Sequence, residues 1–159
     1  MSEHSVIVWD LETVPDLAAA ARLFDMGDAA EAEVREALGS GFPKHPLHKI
    51  ACVGALVARR QPEGWRMDAL GAPHIGERSE TQLIRDFIEK IGLFRPQLIT
   101  FNGHSFDLLV LRYRAMVNRV SAAGLQVRTQ RNAGANHQRR PDFGSHHPGY
   151  GYPVALTIC

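Results

Sequence analysis

The stretch Val6-Ile7-Val8-Trp9-Asp10-Leu11-Glu12 constrains the chain more than any other. Four apolar residues run straight into two carboxylates spaced one residue apart. The run is short, rich in β-branched residues and free of Gly and Pro, so Ser5 to Asp10 reads as a buried central strand. Residues i and i+2 of a strand share a face. Asp10 and Glu12 therefore project side by side where the strand reaches the end of its sheet. Carboxylates held that close repel unless a cation lies between them or one takes up a proton. Hard divalent ions such as Mg²⁺ want this kind of oxygen ligation. Alone, a D-x-E is more often an acidic strand end that is simply solvated.

The chain that follows alternates recognisable signals. Pro15-Asp16 stops the extended run, and Asp16 can cap an Ala-rich helix from Leu17 to Phe24. Glu31 to Leu38 continues the helical character, ended by Gly39-Ser40-Gly41. The segment 42–48, with two prolines, Lys44, His45 and His48, reads as a solvated loop. Ile50 to Val57 is a second strand, apolar on both faces and so central. Trp65 to Leu70 alternates, which makes it a more exposed third strand in an antiparallel meander. Ser79 with Gln82 resembles a capping box for a helix. Leu83, Ile84, Phe87, Ile88 and Ile91 form one stripe of that helix, and Gly92 terminates it. Pro96 to Phe101 is a fourth strand, able to lie parallel to the first because a helix precedes it.

At the end of that strand stands Asn102-Gly103-His104-Ser105-Phe106-Asp107. Asn102-Gly103 makes a tight turn, and Ser105 is a candidate cap for a helix with Asp107, Leu108 and Leu111 in its first turns. On its own Asp107 is an ordinary first-turn acid, favoured by the helix dipole. If the first and fourth strands are neighbours, both acidic sites fall at the same end of the sheet. Three acids then converge on one cleft, a group that suits two-metal hydrolysis of a phosphodiester.

Trp9-Asp10-Leu11-Glu12-Thr13 and Asn102 to Asp107 resemble the first and second motifs of the DEDD 3′–5′ exonucleases. The likeness is strongest to the proofreading domain of family-B DNA polymerases and its stand-alone bacterial relatives, and it covers roughly residues 5–120. It implies a ribonuclease H-like α/β fold: a mixed sheet, three antiparallel strands plus a parallel fourth, flanked by helices. It also implies two Mg²⁺ or Mn²⁺ ions and a single-stranded or frayed DNA 3′ end as substrate. By resemblance, Asp10 bridges both metals, Glu12 serves the nucleophile-side metal and Asp107 the other. Asn102 and Phe106 correspond to supporting and substrate-packing positions. Leu11 and Thr13 would contact the terminal nucleotide by shape and backbone.

The family's third motif, Y-x-x-x-D or H-x-x-x-D, has no counterpart in register. The last acid is Asp142, preceded four residues earlier by Gln138, with His137 one position out. The fold is accordingly expected to be C-terminally truncated, with the exonuclease domain at 1–120 and a disordered or non-native basic tail at 121–159. Residues 1–107 hold sixteen of the seventeen acids, whereas 108–159 hold seven Arg, no Lys and one acid. The tail reads either as a basic arm for nucleic acid, through Arg128, Arg131, Arg139 and Arg140, or as out-of-frame translation. Missing helices would leave apolar sheet surface uncovered. An alternative function follows from the same gap: a catalytically inactive nucleic-acid-binding remnant lacking the fourth metal ligand. No stretch approaches a membrane span, and two cysteines, Cys52 and Cys159, make no disulfide framework, so a cytoplasmic protein is the expectation.

Overall fold

A computed structural model describes residues 4–123 and Leu125. The elements run β1 (Ser5–Pro15), α1 (Leu17–Leu23), α2 (Glu31–Leu38), a 3₁₀ turn at His45–Leu47, β2 (His48–Gln61), β3 (Gly64–Gly71), α3 (Glu80–Phe94), β4 (Gln97–Ile99) and α4 (Asp107–Val117). The sheet order is β3-β2-β1-β4. β1 and β3 flank β2 antiparallel, and β4 lies parallel to β1 through the α3 crossover. The mixed four-stranded sheet expected from the sequence is therefore present.

β1 is longer than its apolar run suggests. It continues through both acids to Pro15 because β2 pairs with it along its whole length, Asp10 opposite Gly54 and Glu12 opposite Cys52. The carboxylates thus lie inside the strand. They stand clear of the sheet on the other side only because β4 ends at Ile99, opposite Val8. A bulge between Glu12 and Thr13 twists the strand where the acids end.

One sheet face carries the core. Ile7, Trp9 and Leu11 from β1 meet Leu83, Ile84, Phe87, Ile88 and Ile91 of α3 and Val110, Leu111 and Ala115 of α4. The α3 stripe is the periodic one read from the sequence, and each such side chain fully buried contributes about 1.5–3 kcal/mol. On this face β1 buries Ile7, Trp9 and Leu11, whereas on the other it buries Val6 alone. On the other face the register aligns Ile99, Val8, Leu56 and Leu70 across all four strands. Ile99, Val8 and Leu70 are 42%, 43% and 60% exposed, so this apolar row is open among the described residues. Asp10 and Glu12 belong to the same face as Val8.

Caps set the helix boundaries. The Asp16 side chain accepts from the Ala19 N–H, and Ser79 and Gln82 exchange hydrogen bonds as a capping box. α3 passes through Gly92 and ends at Arg95, which takes the left-handed conformation at φ 45°. Gly92 is the stop expected from the sequence, but it lies on the exposed side of the helix, where a glycine is tolerated at modest cost. Ser105 does not cap α4 either; Phe106 occupies that position without a side-chain bond.

α1, α2 and the 3₁₀ turn form a second small core of Ala20, Val34 and Leu47. A buried polar knot ties it to the main body. Arg114 of α4 donates from Nε and Nη2 to both Glu80 oxygens, at 2.8 and 2.6 Å. Its Nη1 reaches Asp16 Oδ2 at 2.8 Å and the Pro46 carbonyl at 2.9 Å. Glu80 also accepts from the Ile50 N–H and from Asn118. Burial pushes the Asp16 carboxyl up, but the Ala19 N–H and Arg114 outweigh it and hold the carboxyl below its usual range.

Candidate active site

Asp10 comes from β1 and Asp107 from the first turn of α4. The parallel pairing of β1 with β4 fixes their meeting: β4 stops at Ile99, the chain turns through Asn102–Ser105, and α4 starts beside the stretch of β1 that β4 no longer covers. In that turn the Asn102 carbonyl accepts from the Ser105 and Phe106 N–H groups. Asp107 is buried, and its Oδ2 accepts from Thr100 Oγ1 at 2.8 Å. Asp10 is exposed.

The two carboxyls act on each other. Burial raises the Asp10 carboxyl above the usual carboxylate range, and the charge of Asp107 raises it further. A hydrogen bond from the Leu11 backbone opposes this, while the bond to Asp107 and the charge of Glu12 add to it. Glu12 is thus felt by Asp10 but stands apart: among the described residues no three His, Cys, Asp or Glu side chains gather into one metal-holding group. The convergence of three acids expected from the sequence is realised as a close pair with an exposed third acid beside it. The donor set is all oxygen and carries two crowded negative charges, which fits a hard divalent cation.

The remaining expected residues take different positions. Leu11 is buried in the core, so only its backbone is available at the site. Thr13 Oγ1 is engaged with His48 Nδ1 at 3.0 Å. Asn102 is exposed. The Phe106 ring packs against Phe42 and His48, at centroid distances of 5.3 and 5.0 Å. Asp142, His137, Gln138 and the four tail arginines lie outside the described residues.

Sequence reading missed three participants. Thr100 holds Asp107, and no spacing rule singles out a lone Thr at a strand end. The sequence marks Gly103 only as a turn residue, yet a Cβ there would overlap the Thr100 side chain. The overlap is with the Thr100 methyl, so Gly103→Ala must shift the side chain whose hydroxyl orients Asp107. If the site is hydrolytic, activity should fall roughly 10- to 100-fold, since small misplacements near reacting groups carry such penalties. Activity assays on the folded variant check this.

His48 is the third. It is buried rather than solvated, because the 3₁₀ turn carries it beneath Phe42. Its Nε2–H donates to the Pro43 carbonyl at 3.0 Å, which leaves Nδ1 to accept from Thr13. Burial lowers its pKa from the ordinary 6.5; the bond to Pro43 opposes this, and the neighbouring charge of His45 adds to it. The folded chain then binds fewer protons here than the unfolded one. The stability this contributes is present above the unfolded value and lost as pH falls below it. Thermal melts between about pH 7 and pH 5.5 should show a steeper loss for the wild type than for His48→Gln.

A family model described as a predicted 3′–5′ exonuclease related to the exonuclease domain of PolB matches residues 40–147. The matched span includes Asn102, Phe106 and Asp107, begins downstream of Asp10 and Glu12, and extends beyond the last described residue. No curated protein is matched by the chain. No helix among the described residues is long and apolar enough to cross a membrane. With a match over more than half of its length, whose second acidic motif the fold sets beside the D-x-E strand, the chain belongs to the family of predicted 3′–5′ exonucleases related to the exonuclease domain of PolB.

Proposed function

We propose that the chain removes nucleotides from the 3′ end of single-stranded or frayed DNA, with Asp10, Glu12 and Asp107 holding two divalent ions, Mg²⁺ or Mn²⁺. The observation that carries this reading is the meeting of Asp10 with Asp107, drawn from opposite ends of the domain into a repulsive pair that a cation would relieve. When bound, the ions would supply an activated water and stabilise the leaving oxygen. The chain's own residues orient. Thr100 fixes Asp107, the β1 bulge ends the run that presents Asp10 and Glu12, and Phe106, next to Asp107 in the chain, packs against Phe42 and His48. Asn102, and Thr13 with the Leu11 backbone, are the positions assigned to the terminal nucleotide.

A second reading, nucleic-acid binding without hydrolysis, is favoured by the separation of Glu12 from the Asp10–Asp107 pair. A 5′-labelled single strand with Mn²⁺ separates the two. Hydrolysis yields progressively shorter labelled products, which a blocked 3′ terminus prevents and full pairing slows. Binding alone retards the strand and leaves its length unchanged.

A further inference from the structure

The candidate active site has an aromatic neighbour that neither motif accounts for. Phe42 is 75% exposed, although its ring meets His48 at 4.6 Å and Phe106 at 5.3 Å. Beyond Phe106 the aromatic surface continues through His45, at 6.1 Å, to Tyr113, which lies nearly parallel to the His45 ring at 6.3 Å and 14°. Tyr113 is 41% exposed. The cluster is fixed at both ends of the acidic site. His48 is bonded to Thr13, the residue after Glu12, and His45 Nε2 is bonded to the Ser105 carbonyl, two residues before Asp107.

Phe42 rests on two rings beside the acidic site and leaves most of its surface in water. Nucleobases stack on such surfaces in a sequence-tolerant way. Lys44, exposed between Phe42 and His45 in the chain, adds a cation for the backbone. The rings are held by one another and by two hydrogen bonds, so little ordering remains to be done on binding.

We propose that Phe42 and Tyr113 present a stacking ledge for the last bases of a single-stranded 3′ end, with His48, Phe106 and His45 as its support. This rests on the exonuclease reading for the polarity of the strand, not for the binding itself. A ledge that grips bases regardless of identity would favour unpaired ends over duplex.

The test is equilibrium binding of the full chain to a labelled single strand, with Ca²⁺ replacing Mn²⁺ so that the strand survives. Phe42→Ala is expected to weaken binding about tenfold, Tyr113→Ala by a similar or smaller factor, and Phe42→Trp to retain it. On a strand whose last nucleotides are abasic, the wild type should bind at least as weakly as Phe42→Ala binds the normal strand, and neither substitution should cause further loss. Equal binding by wild type and Phe42→Ala, or an equal loss on normal and abasic strands, overturns the ledge. The second pattern would assign Phe42 a merely structural role. Phe42-dependent binding without any 3′ shortening in Mn²⁺ keeps the ledge and removes the exonuclease reading. Shortening that ignores Phe42 in both binding and KM does the reverse.

Discussion

Arg114→Ala is expected to cost about 3–5 kcal/mol of folding stability, a large share of what a domain this size possesses. The loss comes less from the missing attraction than from what is left behind. Glu80 would keep its charge in a buried position, satisfied only by the Ile50 N–H and Asn118. Asp16 and the Pro46 carbonyl would lose a partner as well. Because this knot joins α3, α4, β2 and the start of α1, the small core around Val34 should loosen with it. Arg114→Leu combined with Glu80→Gln should be less damaging than Arg114→Leu alone, since the stranded charge is gone and the acceptor for Ile50 remains. Arg78→Ala removes an exposed pair with Asp86 and should cost less than about 1 kcal/mol. Urea denaturation of the four variants gives the comparison.

The opposite sign is expected at the acidic pair. Asp10→Asn should raise the melting temperature in the absence of divalent metal, because it removes a charge held against Asp107. The linkage runs the same way. A carboxyl whose folded pKa is raised supports folding below its unfolded value and loses that support as pH rises through the folded one, so near neutral pH the ionised pair is a liability. In Mn²⁺ the order should reverse. The wild type gains stability from the bound ion and Asp10→Asn gains little. Activity should fall by about 10²–10⁴-fold, the several kcal/mol that metal assistance typically supplies. Stability given up where function needs crowded charge is a common pattern in enzymes.

The sequence announced the elements that obey one dominant rule. The α3 stripe, the Ser79–Gln82 cap, the Asp16 cap and the parallel fourth strand all follow from periodicity or capping, and all are present. It misjudged what depends on neighbours. β1 runs on past Asp10 because β2 is there to pair with it, and Val8 is open because no described element covers that face. α3 passes Gly92 because packing outweighs a local breaker. The site shows the same division. Asp10 and Asp107 were legible because motif order and a crossover determine their meeting. Thr100, Gly103 and His48 were not, since each matters only through one contact made across the fold. Arg114 was overlooked although it lies beside Leu111 and Ala115 on the buried face, where a charge implies a partner.

Whether the carboxylates of the two separate motifs form a working hydrolytic site has a direct readout. It is tested most directly by incubating the chain with a 5′-labelled single-stranded DNA and Mn²⁺, beside its Asp10→Ala variant. A working site yields a ladder of products shortened from the 3′ end by the wild type and none by the folded variant. Equal products from both, or none from either, would contradict it.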